Sequence, residues 1–138
     1  WDILDKNLTN KYATHPVHSL EELTLLHSRF PNSIRLFMAF NDKGIAIGGT
    51  IIYEMPQVVH TQYISASPEG KRLGAIDLLF DYILNDVYAN RKGFFDFGKS
   101  TEEEGKILNT TLIFQKEGFG GRGVCYDCYT WETRSVIE

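Results

Sequence analysis

Cysteine is scarce in this chain. Cys125 and Cys128 are the whole complement among 138 residues, too few for a disulfide framework, so folding must rest on apolar burial. That usage fits a reducing, cytoplasmic setting. Long apolar runs are missing as well, which excludes a membrane-spanning helix and predicts no membrane insertion. The first stretch, 1–11, is polar and mixed in charge and does not read as a signal peptide. Basic residues are outnumbered, 14 Lys and Arg against 18 Asp and Glu, for a formal net charge of -4. Wholesale nucleic-acid binding needs clustered cations and is disfavoured, although a local basic pocket is compatible with this balance. Metal-ligand sets are thin. Cys125-Tyr-Asp-Cys128 has zinc or redox spacing, but no second pair completes four ligands, and strand positions three apart face opposite sides. In His15-Pro-Val-His18 the proline opposes the helix that would align the histidines. No metal is therefore expected. Repeats, low-complexity segments and linkers are absent too.

What is present is a globular composition, 43% hydrophobic and 13% aromatic, of a length that suits one domain with a real core. The abrupt start at Trp1 raises the expectation that the domain belongs to a longer chain. Residues 1–17 show no clear periodicity. Ser19-Leu-Glu-Glu22 is a capping-box pattern, and Leu20, Leu23, Leu26 and Phe30 follow at helical spacing until Pro31 and Asn32. Three strands come next, over 34–40, 45–53 and 57–66, separated by the turn clusters at 41–44 and Pro56, which makes an antiparallel meander. Gly48 and Gly49 suggest a bulge or a close backbone approach. Strict alternation in the third strand would put His60, Gln62, Ile64 and Ala66 on one face. A glycine-containing turn, 70–75, then opens the longest helix, whose stripe of Ile76, Leu79, Ile83 and Val87, widened by Leu73, Phe80, Leu84 and Tyr88, must lie across a sheet. Phe94-Phe-Asp-Phe-Gly98 is a short apolar strand, parallel to the one before the helix. A second capping box at Thr101–Glu104 predicts a helix carrying Ile107, Leu108, Leu112 and Phe114 inward. Val124–Glu132 reads as a last strand, and 133–138 as a polar tail. The class is α+β: a mixed sheet, mostly antiparallel with one central parallel pair, flanked by helices.

That order, with the turn at Gly70–Ala75, resembles the GNAT superfamily of N-acyltransferases. Phe94-Phe-Asp-Phe-Gly-Lys-Ser100, Asn109 and Gln115-Lys-Glu-Gly-Phe-Gly-Gly121 are similar to its Fem-related, peptidoglycan-bridge branch. The resemblance covers residues 18–132 of the single 1–138 domain. Because Fem proteins carry two such halves, it implies one half of a longer chain. It also implies acetyl-CoA or another acyl-CoA as co-substrate, or aminoacyl-tRNA in the Fem manner. In the superfamily the pyrophosphate turn reads Arg/Gln-x-x-Gly-x-Gly/Ala. Here Ala75 takes the last small position and Arg72 lies near the basic one, but Leu73 stands where the central glycine belongs and Gly74 comes one residue later. The resemblance places donor contacts at Gln62, Ile64, Gly70, Lys71, Arg72, Leu73, Gly74, Ala75 and Asn109. A tyrosine that many members use as an acid corresponds to Phe114, which cannot donate a proton.

Transfer of an acyl group to an amine needs a polarised carbonyl, a deprotonated nucleophile and exclusion of water. His60 and Glu54, on neighbouring strands, are candidate bases, and histidine titrates in the useful range. Each has a plain alternative: a histidine bonded within the sheet, a solvated glutamate beside a turn. Asp96, between phenylalanines, must be paired if buried, and either supports the strand or orients substrate. Lys116 and Arg122 either bind an anion or form a solvated face. The expected acceptor is a small-molecule or peptide amine, and a homodimer is compatible with the sequence. A non-catalytic domain that keeps the fold as a structural or substrate-binding half is the competing reading.

Overall fold

A computed structural model describes residues 1–131. Helix α1 (Asp2–Tyr12) precedes α2 (Leu20–Arg29), and strands β1 (Ile34–Phe40), β2 (Ala46–Glu54) and β3 (Val58–Ala66) form the meander. Helix α3 (Pro68–Arg72) and helix α4 (Ala75–Tyr82), continued by a wider turn at Ile83–Val87, lead to β4 (Phe94–Asp96). The small hairpin β5 (Thr101–Glu102) and β6 (Ile107–Leu108) then precedes α5 (Thr110–Gly118). The main sheet has the order β1-β2-β3-β4; its first two pairings are antiparallel and β3–β4 is parallel. This is the mixed α+β arrangement expected from the sequence.

The capping box at the start of α2 is complete: the Glu22 N–H donates to Ser19 Oγ and the Ser19 N–H to Glu22 Oε2. Register fixes the two faces of the sheet. Opposite Gly48, Thr50, Ile52 and Glu54 of β2 lie Ala66, Ile64, Thr61 and Val59 of β3. This face carries α4 and the core, with Ile52, Val59, Ile76, Leu79, Phe80 and Ile83 buried. Phe80 is wholly buried and stacks on Phe119 at 4.9 Å, with Phe95 and Phe97 around it. The other face, with Tyr53, His60, Tyr63 and Ser65, meets α1 and the segment before α2: Asn7 Nδ2 donates to Ser65 Oγ and to the Ala66 carbonyl, and His18 pairs with the Tyr63 hydroxyl.

Several expectations change. Residues 2–12 are helical, with Ile3, Leu4 and Leu8 half-buried and Asn7 bonded to β3. Strict alternation in β3 fails because register shifts between Ile51 and Ile52 leaves Gln62 unpaired as a bulge. His60 therefore does not share a face with Ile64 and Ala66. Of the two readings of Gly48 and Gly49, close approach holds: a Cβ on Gly48 would lie 3.2 Å from the Ala75 Cβ, and one on Gly49 2.7 Å from Met38 Sδ. The long helix does open after the glycine turn, at Ala75 behind Gly74 with φ +68°, but Pro68–Arg72 forms a short helix of its own and Leu73 is exposed rather than on the stripe. Thr101–Glu104 opens only a single 3-10 turn over Glu103–Gly105, in which Glu103 and Glu104 are left-handed, and Asn109 caps α5 instead. Ile107, Leu108 and Phe114 are consequently exposed. Of the last predicted strand, residues 124–131 hold no regular structure, with Tyr126, Tyr129 and Trp131 exposed. Glu132 and the 133–138 tail lie outside the described residues.

Candidate active site

The strands β3 and β4 run parallel for three rungs, and the last joins His60 to Asp96. Beyond it they part. The chain after β4 turns at Gly98, with φ +73°, while β3 continues through the Gln62 bulge to Ala66. The outward backbone groups of 62–65 have no ladder partner among the described residues. An unpaired strand edge of this kind offers N–H and C=O groups to an amide-bearing ligand.

At the fork the side chains are polar and mutually bonded. His60 Nδ1 lies 2.7 Å from Asp96 Oδ2, and the Gly98 N–H donates to Asp96 Oδ1 at 2.7 Å. Burial pushes the Asp96 carboxyl up. The hydrogen bond from His60, the Gly98 N–H and the charges of His60 and Lys116 outweigh this and hold it below the ordinary carboxylate value. An ionised Asp96 accepts from Nδ1–H, which in a neutral imidazole leaves Nε2 with the lone pair. No described residue bonds that nitrogen. The imidazole is about a quarter exposed, enough for a ligand to reach.

The third member of the cluster is Lys116. Its ammonium donates to the carbonyls of Gly98, at 2.9 Å, and Lys99, at 2.7 Å, and the residue is 7% exposed. Desolvation lowers its pKa, partly opposed by Asp96. A solvated face is thus corrected to an interior clamp. The signal was in the sequence: Leu112, Ile113 and Lys116 share the inward side of α5 at helical spacing. Arg122, by contrast, is exposed and bonds only the neighbouring Gly121 carbonyl among the described residues.

Glu54 lies on the core face, opposite Val59, and away from His60. It accepts from the Tyr88 hydroxyl at 2.5 Å and from Arg35 and Arg91. Burial pushes its pKa up, but these partners hold it below the ordinary value, while burial and Glu54 push Tyr88 up to about 12. This expected base is therefore an ion-paired anchor of the sheet's far end. Its two salt bridges and one short hydrogen bond occupy the carboxylate.

The turn before α4 separates the candidate donor contacts. Gly70 is buried, and a Cβ there would run into the Ile47 carbonyl. Its glycine serves packing of α3 on β2, and α3 fills the place expected of an open turn. Gly74 is different: nothing but Asp77 Oδ2, at 3.3 Å, lies near its would-be Cβ, so backbone access is open there. Ala75 is buried against β2, and Lys71 Nζ reaches Asn7 Oδ1. Arg72 and Leu73 are exposed and line a groove of about 430 Å³ with Phe40, Asp42, Glu69 and Leu78. Ile64 packs on the core and Gln62 sits at the bulge. Asn109 caps α5, accepting from the Leu112 N–H and donating to Glu102, so its amide is committed within the chain. Among the described residues no three His, Cys, Asp or Glu side chains gather to hold a metal ion, and no helix is long and apolar enough to cross a membrane.

No sequence-family model matches the chain, and no curated protein matches it. Solved structures do. A possible acetyltransferase from Clostridium difficile 630 superposes with a TM-score of 0.67 at 13% identity, over 97% of this chain and 89% of that one. The aminoglycoside acetyltransferase AAC(6')-Iy, in complex with the bisubstrate analogue CoA-S-monomethyl-acetylneamine, gives 0.62 at 15% identity, over 91% and 86%. The aminoglycoside 6'-N-acetyltransferase AAC(6')-Ih from Acinetobacter baumannii gives 0.58 at 14%, over 97% and 94%. These neighbours lend nothing to the narrower Fem-like branch. They do establish the architecture: the chain has the GNAT acetyltransferase fold.

Proposed function

We propose that this domain transfers an acyl group from acyl-CoA to the amine of a small molecule. The observation that carries the reading is the fork itself. The ladder stops at His60 and Asp96, and the hydrogen-bonded pair stands where the unpaired edge of β3 begins. The pantetheine arm of the donor would lie along 62–65, its amides replacing the missing strand. Its phosphates would approach the backbone at Gly74 and Ala75, the first turn of α4, with Arg72 supplying charge.

In the reaction the amine nitrogen attacks the thioester carbon. A C–N bond forms, the C–S bond breaks, and the electron pair leaves on sulfur as thiolate. His60 Nε2 takes the proton that the amine loses, and Asp96 keeps the imidazole in the required tautomer. Backbone N–H groups beside the bulge are placed to meet charge building on the carbonyl oxygen. Phe114 supplies no acid, and a thiolate is a fair leaving group without one. An aminoacyl-tRNA donor is less well supported, because a net charge of -4 offers little to a polyanion.

One observation favours a non-catalytic role. Gly70 and α3 are committed to packing where an open phosphate turn would be expected. Acetyl-CoA mixed with a panel of amines separates the two readings. Release of free thiol dependent on the protein and on an amine supports the transferase. Silence, together with no calorimetric binding of CoA, leaves the binding-domain reading.

A further inference from the structure

A buried cation lies where β3 and β4 part. In a continuing parallel ladder, the chain after Asp96 would bond to β3 at 62–64. Here the carbonyls of Gly98 and Lys99 instead accept from Lys116 Nζ, reaching across from α5. An ammonium this buried is costly unless bonded, and these two carbonyls, with Asp96 nearby, are its partners among the described residues. The clamp also fixes the Gly98 N–H on Asp96 Oδ1. One side chain thus bonds the outgoing chain on the side away from β3, and the same Gly98 bonds the acid that pairs with His60. Gly121, packed on the Lys116 carbonyl and the Phe97 ring, secures the C-terminal end of α5 against the same chain.

We infer that Lys116 is a positioning residue for the acyl donor: its two hydrogen bonds hold the gap between β3 and the 97–100 segment open, and the donor's arm enters that gap. The inference rests on the acyl-CoA reading above. Lys116 touches no substrate in this scheme. It acts through the backbone it holds.

The test is calorimetric titration of CoA, without acyl group or acceptor, into the wild-type protein, Lys116→Met and Lys116→Arg, with melting temperatures measured in parallel. Lys116→Met removes both donors while keeping the apolar stem, and it is expected to weaken CoA binding by at least about tenfold. Lys116→Arg keeps two donors and a charge, and should stay within about threefold of wild type. A merely structural lysine would lower the melting temperature of Lys116→Met and leave the affinity of the folded protein unchanged; that result overturns the inference. Should Lys116→Met not fold, Lys116→Gln, which donates to one carbonyl, carries the same comparison, and unchanged affinity there is equally fatal. Wild-type protein that binds no CoA defeats the acyl-CoA reading itself, and the inference falls with it.

Discussion

His60 and Asp96 are partners twice over. They form the last rung of the parallel ladder, and their side chains bond at 2.7 Å across it. Backbone and side-chain geometry thus lock the imidazole at the point where the strands separate. The base account predicts that His60→Gln lowers turnover by about a hundredfold or more, with CoA affinity unchanged. Steady-state rates beside calorimetry measure both quantities; turnover near wild type would remove His60 from the chemistry.

Asp96→Asn should lower turnover less than His60→Gln does. The amide can still bond the imidazole, but it favours the wrong tautomer and carries no charge. The check is the rate of the double variant. If Asp96 acts only through His60, adding Asp96→Asn to His60→Gln changes little, whereas independent losses would multiply.

Glu54 makes a stability prediction with a defined sign. Its pKa is depressed in the fold by Tyr88, Arg35 and Arg91 against the effect of burial. A depressed carboxylate contributes stability that is present above its ordinary pKa and is lost as pH falls through the folded value. Melting temperature should therefore fall with acidification below about pH 4.5, and Glu54→Gln should flatten that part of the curve. Equal acid slopes for both proteins would deny the carboxylate its role as anchor. Turnover of Glu54→Gln, measured at neutral pH, should remain within a few-fold of wild type.

The two glycines before α4 should behave oppositely. Gly70→Ala drives a Cβ into the Ile47 carbonyl and should cost about 3 kcal/mol, the upper end for overpacking. Gly74→Ala meets only the movable Asp77 carboxylate, 3.3 Å away, but keeps a left-handed backbone, at about 1 kcal/mol. Denaturant titration of the pair decides; equal losses would mean the turn has been misread.

The sequence disclosed the meander, the parallel strand and the α2 cap because each rests on local chemistry: alternation, turn residues, Ser19 with Glu22. It did not disclose α1, whose apolar face is short, Ile3, Leu4 and Leu8, and whose Asn7 bonds Ser65 and Ala66, nearly sixty residues away. The β3 bulge was equally hidden. Its evidence is a register shift against β2, and a single extra residue there moved His60 off the face it was expected to share with Ile64. Thr101–Glu104 matched a helix start in letters, yet the left-handed turn at Glu103 and Glu104 made a hairpin instead. At the site, His60 and Asp96 could be named separately as polar residues on strands, but their pairing depends on how two strands line up. Lys116 reads in the sequence as an anion binder or a solvated residue, because lysine is ordinarily at the surface, and its burial shows only in the fold.

The most direct test is an NMR titration of the labelled protein with CoA, following backbone amides. The account predicts that the largest shifts fall on 62–65 and on Gly74–Ala75, the unpaired edge of β3 and the first turn of α4. Shifts confined to other segments, or none at millimolar CoA, would contradict it.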